Sequence, residues 1–187
     1  RFYCPPHSAY PTAVDYGYYT IGDSSLPGDM QSEDDFYTRW SQKQCEPGFY
    51  CQEGVKYRCP KGHYGAYPGM ANATCDGECY PGFICDEASP SPSQYPCGTD
   101  PSVYCPKGSN MSTVVPHGYY SVGDPSMGNT YTTMSAIMPC TGGTYCTDGV
   151  QYDCPAGRYS LTGSPTWECD GLCDAGYYCH AGSSDPK

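Results

Sequence analysis

The sequence predicts a small disulfide-rich, β-rich fold: short irregular hairpins strung into an elongated tandem-repeat array, with little helix. Three observations predict it. Fifteen cysteines in 187 residues is the density of a disulfide scaffold. The cysteines form a ladder that occurs twice, Cys45, Cys51, Cys59, Cys75, Cys79 and Cys85 returning as Cys140, Cys146, Cys154, Cys169, Cys173 and Cys179. The offset is 95 residues for the first three and 94 for the last three. Apolar content is only 38%, and tyrosine supplies 21 of the residues, so Leu, Ile, Val and Phe are too few for an aliphatic core. Bridges of roughly 2–4 kcal/mol each, acting mainly on the unfolded chain, are expected to stand in for that core.

Residues 1–23 read as the C-terminal part of a preceding module, an extended Tyr-rich segment broken by Pro and Gly. Tyr3-Cys4-Pro5 returns as Tyr104-Cys105-Pro106, and Gly17–Asp23 returns as Gly118–Asp124, both at an offset of 101. Residues 24–44 are a variable linker, with Glu33, Asp34 and Asp35 ahead of Phe36, Tyr37 and Trp40; the acidic run reads as a solvated face. Residues 45–123 form the first cysteine-rich module, 124–139 a second linker, and 140–187 a second, incomplete module.

Within the ladder a shorter motif occurs four times: Cys45–Cys51, Cys79–Cys85, Cys140–Cys146 and Cys173–Cys179. Glycine stands three residues before the second cysteine in each, with Pro or a small residue usually ahead of it. Pro-Gly favours a type II turn, because glycine tolerates the positive φ required at the third position. The following aromatic is expected to start a short strand that the cysteine pins. A related turn opens the long loops at Cys59-Pro60-Lys61-Gly62-His63-Tyr64 and Cys154-Pro155-Ala156-Gly157-Arg158-Tyr159.

These motifs resemble the cysteine-rich repeats called ephrin-receptor-like, relatives of the TNF-receptor type, whose signature is Cys-Pro-x-Gly-x-Tyr, a loop, close cysteines and another Pro-Gly-aromatic-x-Cys. Residues 59–64 and 154–159 match the first part, and Cys75, Cys79 and 81–85 match the rest; Gly142-Gly143 and Ile84 depart from it. The resemblance covers about 45–105 and 140–179, and 1–23 in part. The form with a Tyr-Cys-Pro-x-Gly segment and a Gly-Tyr-Tyr strand looks like arrays in very large secreted proteins of algae, oomycetes and other protists. It implies an extracellular interaction or structural role, with no catalytic residues to carry over.

Charge and spacing exclude several classes of function. Twenty acidic against nine basic residues, a formal charge of −11, argue against nucleic acid and anionic membrane surfaces. No apolar run is long enough to span a bilayer, so no direct membrane insertion is expected in this segment. An oxidised chain must be exported, so a signal is expected upstream and the chain is expected to be a processed or excerpted piece. Zinc is not expected: His7, His63, His117 and His180 stand opposite Gly108, Arg158, Tyr16 and Asp86 in the other copy, so no ligand set recurs. Calcium is not expected either, since the recurrent Asp76/Asp170 and Asp23/Asp124 give one carboxylate per loop where six to eight oxygens are wanted. No catalytic constellation repeats, and no enzyme or cofactor is expected.

The residues left as candidates are structural or interactive. Cys45, Cys51, Cys59, Cys75, Cys79, Cys85, Cys97, Cys105, Cys140, Cys146, Cys154, Cys169, Cys173 and Cys179 are expected in structural bridges. Connectivity stays open, because six cysteines alone allow fifteen arrangements. An odd total leaves one thiol over. If Cys97 pairs with Cys105, the orphan is Cys4, unpaired or bridged outside the chain; if the type shared by Cys4 and Cys105 pairs forward instead, the orphan lies in the second ladder. Asn72-Ala73-Thr74 and Asn110-Met111-Ser112 are acceptor sequons for N-linked glycans. Ser89-Pro90-Ser91-Pro92-Ser93 is a candidate for O-linked sugars. Many tyrosines are expected to cover the disulfides. In the adjacent pairs Tyr18, Tyr19 and Tyr119, Tyr120, one ring of each should face out to a neighbour. The expected function is an extracellular structural or adhesive repeat protein of a glycosylated filament. Its partners would be copies of itself or adjacent modules of the same polypeptide; the alternative is a ligand-binding receptor ectodomain.

Overall fold

In a computed structural model describing residues 2–22, 39–123 and 133–187, the Pro-Gly steps set the local geometry. At the first, the Glu46 carbonyl accepts the Phe49 N–H at 3.1 Å and Gly48 sits at φ +86°, a type II turn. The same closure recurs where Phe83 donates to Tyr80, Thr144 to Thr141 and Tyr177 to Asp174. Gly48, Gly82 and Gly143 then bond forward. The Gly48 carbonyl accepts the Cys59 N–H at 2.9 Å, and the Gly48 N–H reaches the Gly65 carbonyl at 2.7 Å. A side chain at Gly48 would run into the Ala88 carbonyl, so the position needs glycine for space as well as for φ. The same carbonyl-to-cysteine bond joins Gly17 to Cys45, Gly62 to Cys79, Gly82 to Cys97, Gly118 to Cys140, Gly143 to Cys154 and Gly157 to Cys173.

The chain packs as two compact units. The first comprises Arg1–Cys79 and Cys85–Gln94, the second Tyr80–Ile84 and Tyr95–Lys187. Packing therefore divides the chain inside the first cysteine ladder, whereas recurrence divides it between ladders. The first unit holds β1 (Phe2–Tyr3) with β2 (Thr12–Ala13), β3 (Tyr18–Ile21) with β4 (Ser41–Gln44), β5 (Phe49–Gln52) with β6 (Val55–Arg58), and β7 (His63–Tyr64) with β8 (Gly77–Glu78). The second holds β9 (Phe83–Ile84) with β10 (Tyr95–Pro96), β11 (Val103–Tyr104) with β12 (Thr113–Val114), and β13 (Tyr119–Val122) with β14 (Ala136–Pro139). It also holds β15 (Thr144–Thr147) with β16 (Val150–Asp153), and β17 (Arg158–Tyr159) with β18 (Gly171–Leu172). Every pair is antiparallel and two-stranded. The described residues contain no helix.

The β5–β6 and β15–β16 hairpins share one design. Glu53-Gly54 and Asp148-Gly149 both take positive φ, the two-residue turn whose twist matches the strands. That turn sets the register so that Tyr50 faces Tyr57 and Tyr145 faces Tyr152. The rings stack at 5.2 and 5.3 Å between centroids, a cross-strand aromatic pair of the kind that stabilises a sheet face.

Sulfur forms the interior. Seven bridges join Cys45–Cys51, Cys59–Cys75, Cys79–Cys85, Cys97–Cys105, Cys140–Cys146, Cys154–Cys169 and Cys173–Cys179, with Cα atoms 5.9–6.1 Å apart. Each Pro-Gly-type motif thus closes on itself across six residues, and the long loops close across fifteen or sixteen. Among the described residues, Val115 is the one buried apolar residue that is not a cysteine. Buried hydroxyls fill the rest and bond to their own turns, as where Ser89 donates to the Ser91 carbonyl at 2.8 Å and Ser109 to the Pro106 carbonyl at 2.6 Å.

Every described tyrosine is half-buried or exposed. One expectation is corrected. The fourth motif, Cys173–Cys179, makes its turn, but Tyr177 and Tyr178 start no strand; the Asp174 N–H instead bonds to the Pro186 carbonyl at 2.8 Å. A strand exists only with a partner ladder, and among the described residues no segment supplies one there.

Candidate functional site

Asp76 and Asp170 have a structural occupation. Asp76 Oδ2 accepts the Ala66 N–H at 2.5 Å and the Tyr67 N–H at 3.2 Å, and Asp170 Oδ2 accepts the Leu161 N–H at 2.7 Å. Each carboxylate ties the loop after a Gly-x-Tyr strand back to its partner strand, which accounts for their recurrence. Asp23 and Asp124 lie outside the described residues, as do Glu33, Asp34, Asp35, Phe36 and Tyr37. Among the described residues no group of three or more His, Cys, Asp and Glu side chains gathers as a metal site would.

An ionic cluster on the first unit escaped sequence reasoning. Glu46 Oε1 lies 2.6 Å from Lys43 Nζ and accepts the Tyr19 hydroxyl at 3.1 Å, and Glu46 Oε2 lies 3.1 Å from Lys56 Nζ. Lys56 also sits over the Phe49 ring at 4.4 Å and the Tyr19 ring at 5.1 Å. Partial burial of Glu46 opposes ionisation. The bonds from Lys43, its own backbone N–H, Lys56 and Tyr19 outweigh that and hold the carboxyl at about 2, below the ordinary 4.5. Lys43 is raised in turn, chiefly by its hydrogen bond to Glu46. The spacing Lys43-x-x-Glu46 was the available signal; Tyr19, 27 residues from Glu46, gave none.

Next to this cluster lies a groove of about 600 Å³ lined by Phe49, Lys56, Tyr57, Arg58 and Glu87. Arg58 pairs with Glu87 at 3.5 Å. In the second unit the corresponding hairpin uses neutral bonds, with Gln151 Nε2 donating to Thr144 Oγ1 at 2.9 Å and to Thr141 Oγ1 at 3.1 Å. The hairpin therefore forms without the ionic cluster.

The four candidate contact tyrosines divide unequally. Tyr119 is exposed and Tyr120 half-buried, the alternation a strand imposes, whereas Tyr18 and Tyr19 are both half-buried, Tyr19 being held by Glu46 and Lys56. Larger exposed aromatic area lies elsewhere, at Tyr10, Tyr16, Tyr67 and Tyr178. Both sequons are exposed. Asn72 Oδ1 accepts the Thr74 N–H at 3.1 Å and the Thr74 hydroxyl, so the sequon is folded as an Asx turn at the surface. In the Ser-Pro stretch Ser89 is fully buried, which withdraws it as a sugar acceptor, while Ser93 is exposed. Cys4 is exposed with a free thiol. Trp40, at the end of the acidic linker, is 40% exposed.

No helix among the described residues is long and apolar enough to cross a membrane. No family model matches the chain, and no curated protein matches it.

Proposed function

We propose that this chain is an extracellular structural or adhesive repeat protein, a length of a glycosylated cell-surface or secreted filament built from ephrin-receptor-like modules. The observation that carries this reading is the interior. Seven bridges and almost no buried aliphatic side chains make a fold that depends on an oxidising compartment. Further support comes from the backbone. Seven turn glycines, Gly17, Gly48, Gly62, Gly82, Gly118, Gly143 and Gly157, each accept the N–H of a later cysteine, so one motif seats the next, and a heterologous contact of that kind propagates without closing on itself. The surface suits contact and coating: exposed tyrosines offer broad area with a polar tip, and Asn72 and Asn110 are exposed where glycans would attach.

Negative-stain imaging of native, unreduced material tests the reading. Filaments with a repeat set by the module length are expected. Uniformly dispersed particles with no lateral or end-to-end contacts would overturn it.

A further inference from the structure

The chain presents one local slot twice, filled once and open once. The β11–β12 hairpin pairs Val103 with Val114 and Tyr104 with Thr113, and the β1–β2 hairpin pairs Phe2 with Ala13 and Tyr3 with Thr12. The next residue is a cysteine in both. The Cys105 N–H donates to the Met134 carbonyl at 2.9 Å and the Cys4 N–H to the Arg39 carbonyl at 2.8 Å, Arg39 and Met134 being equivalent positions ahead of β4 and β14. The two cysteines therefore occupy the same place in the same local fold.

At Cys105 the place is filled by one segment that reaches it at two points and is tied to itself by a third bond. Cys97 bridges its sulfur, the Gly82 N–H donates to its carbonyl at 2.7 Å, and the Gly82 carbonyl accepts the Cys97 N–H at 2.8 Å. Cys105 is 0% exposed as a result. The carbonyls of Cys85, Cys146 and Cys179 likewise accept a turn-glycine N–H, from Gly62, Gly118 and Gly157. At Cys4 the thiol is free and exposed, and among the described residues no turn-glycine N–H reaches its carbonyl. The Phe2 ring beside it is 63% exposed, whereas Val103 at the equivalent place is half-covered.

We infer that Cys4 and Phe2 form the acceptor half of a module junction. Its occupant is a segment of the Tyr80–Cys97 kind: a Pro-Gly-aromatic turn followed fifteen residues after the glycine by a cysteine that bridges Cys4. The junction rests on the repeat-contact reading above and names the contact. In forming it, the Cys4 thiol and the incoming thiol lose two protons and two electrons to the disulfide of a thiol–disulfide oxidoreductase; one sulfur–sulfur bond forms and one breaks. The segment can come from the same polypeptide or from a second copy, and the chemistry is the same.

Native protein is alkylated with N-ethylmaleimide before any reduction, digested without reduction, and its cross-linked peptides are sequenced by mass spectrometry. The Cys4 peptide is expected unalkylated and joined to a peptide with a Pro-Gly turn upstream of its cysteine. The partner's sequence, with mixing of isotopically light and heavy preparations, separates a same-chain source from a second copy. Alkylated Cys4, Cys4 capped only by a small thiol, or Cys4 joined to one of the other fourteen cysteines of the same molecule would overturn the junction. A Cys4→Ser variant is expected to abolish the cross-link and keep all seven other bridges. Failure here is distinguishable from failure of the filament reading: filaments with alkylated Cys4 remove the junction alone, and dispersed particles with a correctly joined Cys4 remove the filament alone.

Discussion

Removal of the Cys59–Cys75 bridge tests whether sulfur, and not apolar packing, carries this fold. The bridge closes sixteen residues. Chain entropy assigns about 3 kcal/mol to a loop of that size and about 2 kcal/mol to a closure like Cys45–Cys51. Replacing both cysteines by alanine keeps the site small and apolar, so the entropic part dominates the change. The bonds that depend on it are local: the Cys59 N–H to the Gly48 carbonyl at 2.9 Å, the Ala88 N–H to the Cys59 carbonyl at 3.0 Å, and the Gly48 N–H to the Gly65 carbonyl at 2.7 Å. A loss of about 3 kcal/mol raises the opening of these amides roughly 150-fold. Native-state hydrogen exchange read by mass spectrometry measures it, with the Cys154 amide, bonded to the Gly143 carbonyl in the second unit, as internal reference. A change below about fivefold, or roughly 1 kcal/mol, would show that something other than the cross-link holds the loop, and the reasoning would fail.

Four further outcomes are expected. Glu46→Gln removes a carboxyl whose folded value, about 2, lies below its ordinary 4.5. Its contribution is therefore full above pH 4.5 and lost as pH falls toward 2; after allowance for solvent screening it amounts to about 1 kcal/mol. The difference between wild type and variant in urea titrations should shrink through that window, and a pH-independent difference would contradict it. Gly149→Ala places a Cβ against the Pro101 carbonyl at a φ of +72°, whereas Gly176→Ala, at +92°, meets nothing within 4 Å. Strain of about 1–3 kcal/mol is common to both, so Gly149→Ala should melt lower, and equal melting would refute the close approach. Asp76→Ala deprives two backbone N–H groups of their acceptor and should cost about 1–2 kcal/mol, seen as faster exchange at Ala66 and Tyr67. Thr74→Ala should remove a glycan from Asn72 and lower the intact mass of protein from a glycosylating host by one oligosaccharide; an unchanged mass would strike out that sequon.

Spacing in the chain was enough to announce the class of fold. Fifteen cysteines with few aliphatic residues meant sulfur in place of an oily interior, and that interior is what Cys45, Cys51, Cys59, Cys79, Cys85 and Cys105 form. The Pro-Gly turns were legible because a turn is settled by the φ of one residue, and Gly48 and Gly82 have it. Asp148-Gly149 was an equally local hairpin signal, and it passed unread between Tyr145 and Tyr152. The pairing of sulfurs was decided in three dimensions. Cys97 had to meet Cys105, leaving Cys4 open, because the Gly82 turn lays its own backbone against the Cys105 carbonyl. So was the Glu46 cluster, since Tyr19 and Lys56 come from two different hairpins. Local torsion and composition act within a few residues and can be read in order along the chain. Which side chains share a charge or a bond depends on strand register and on the seating of one turn upon another, and those distances exist only once the chain has folded.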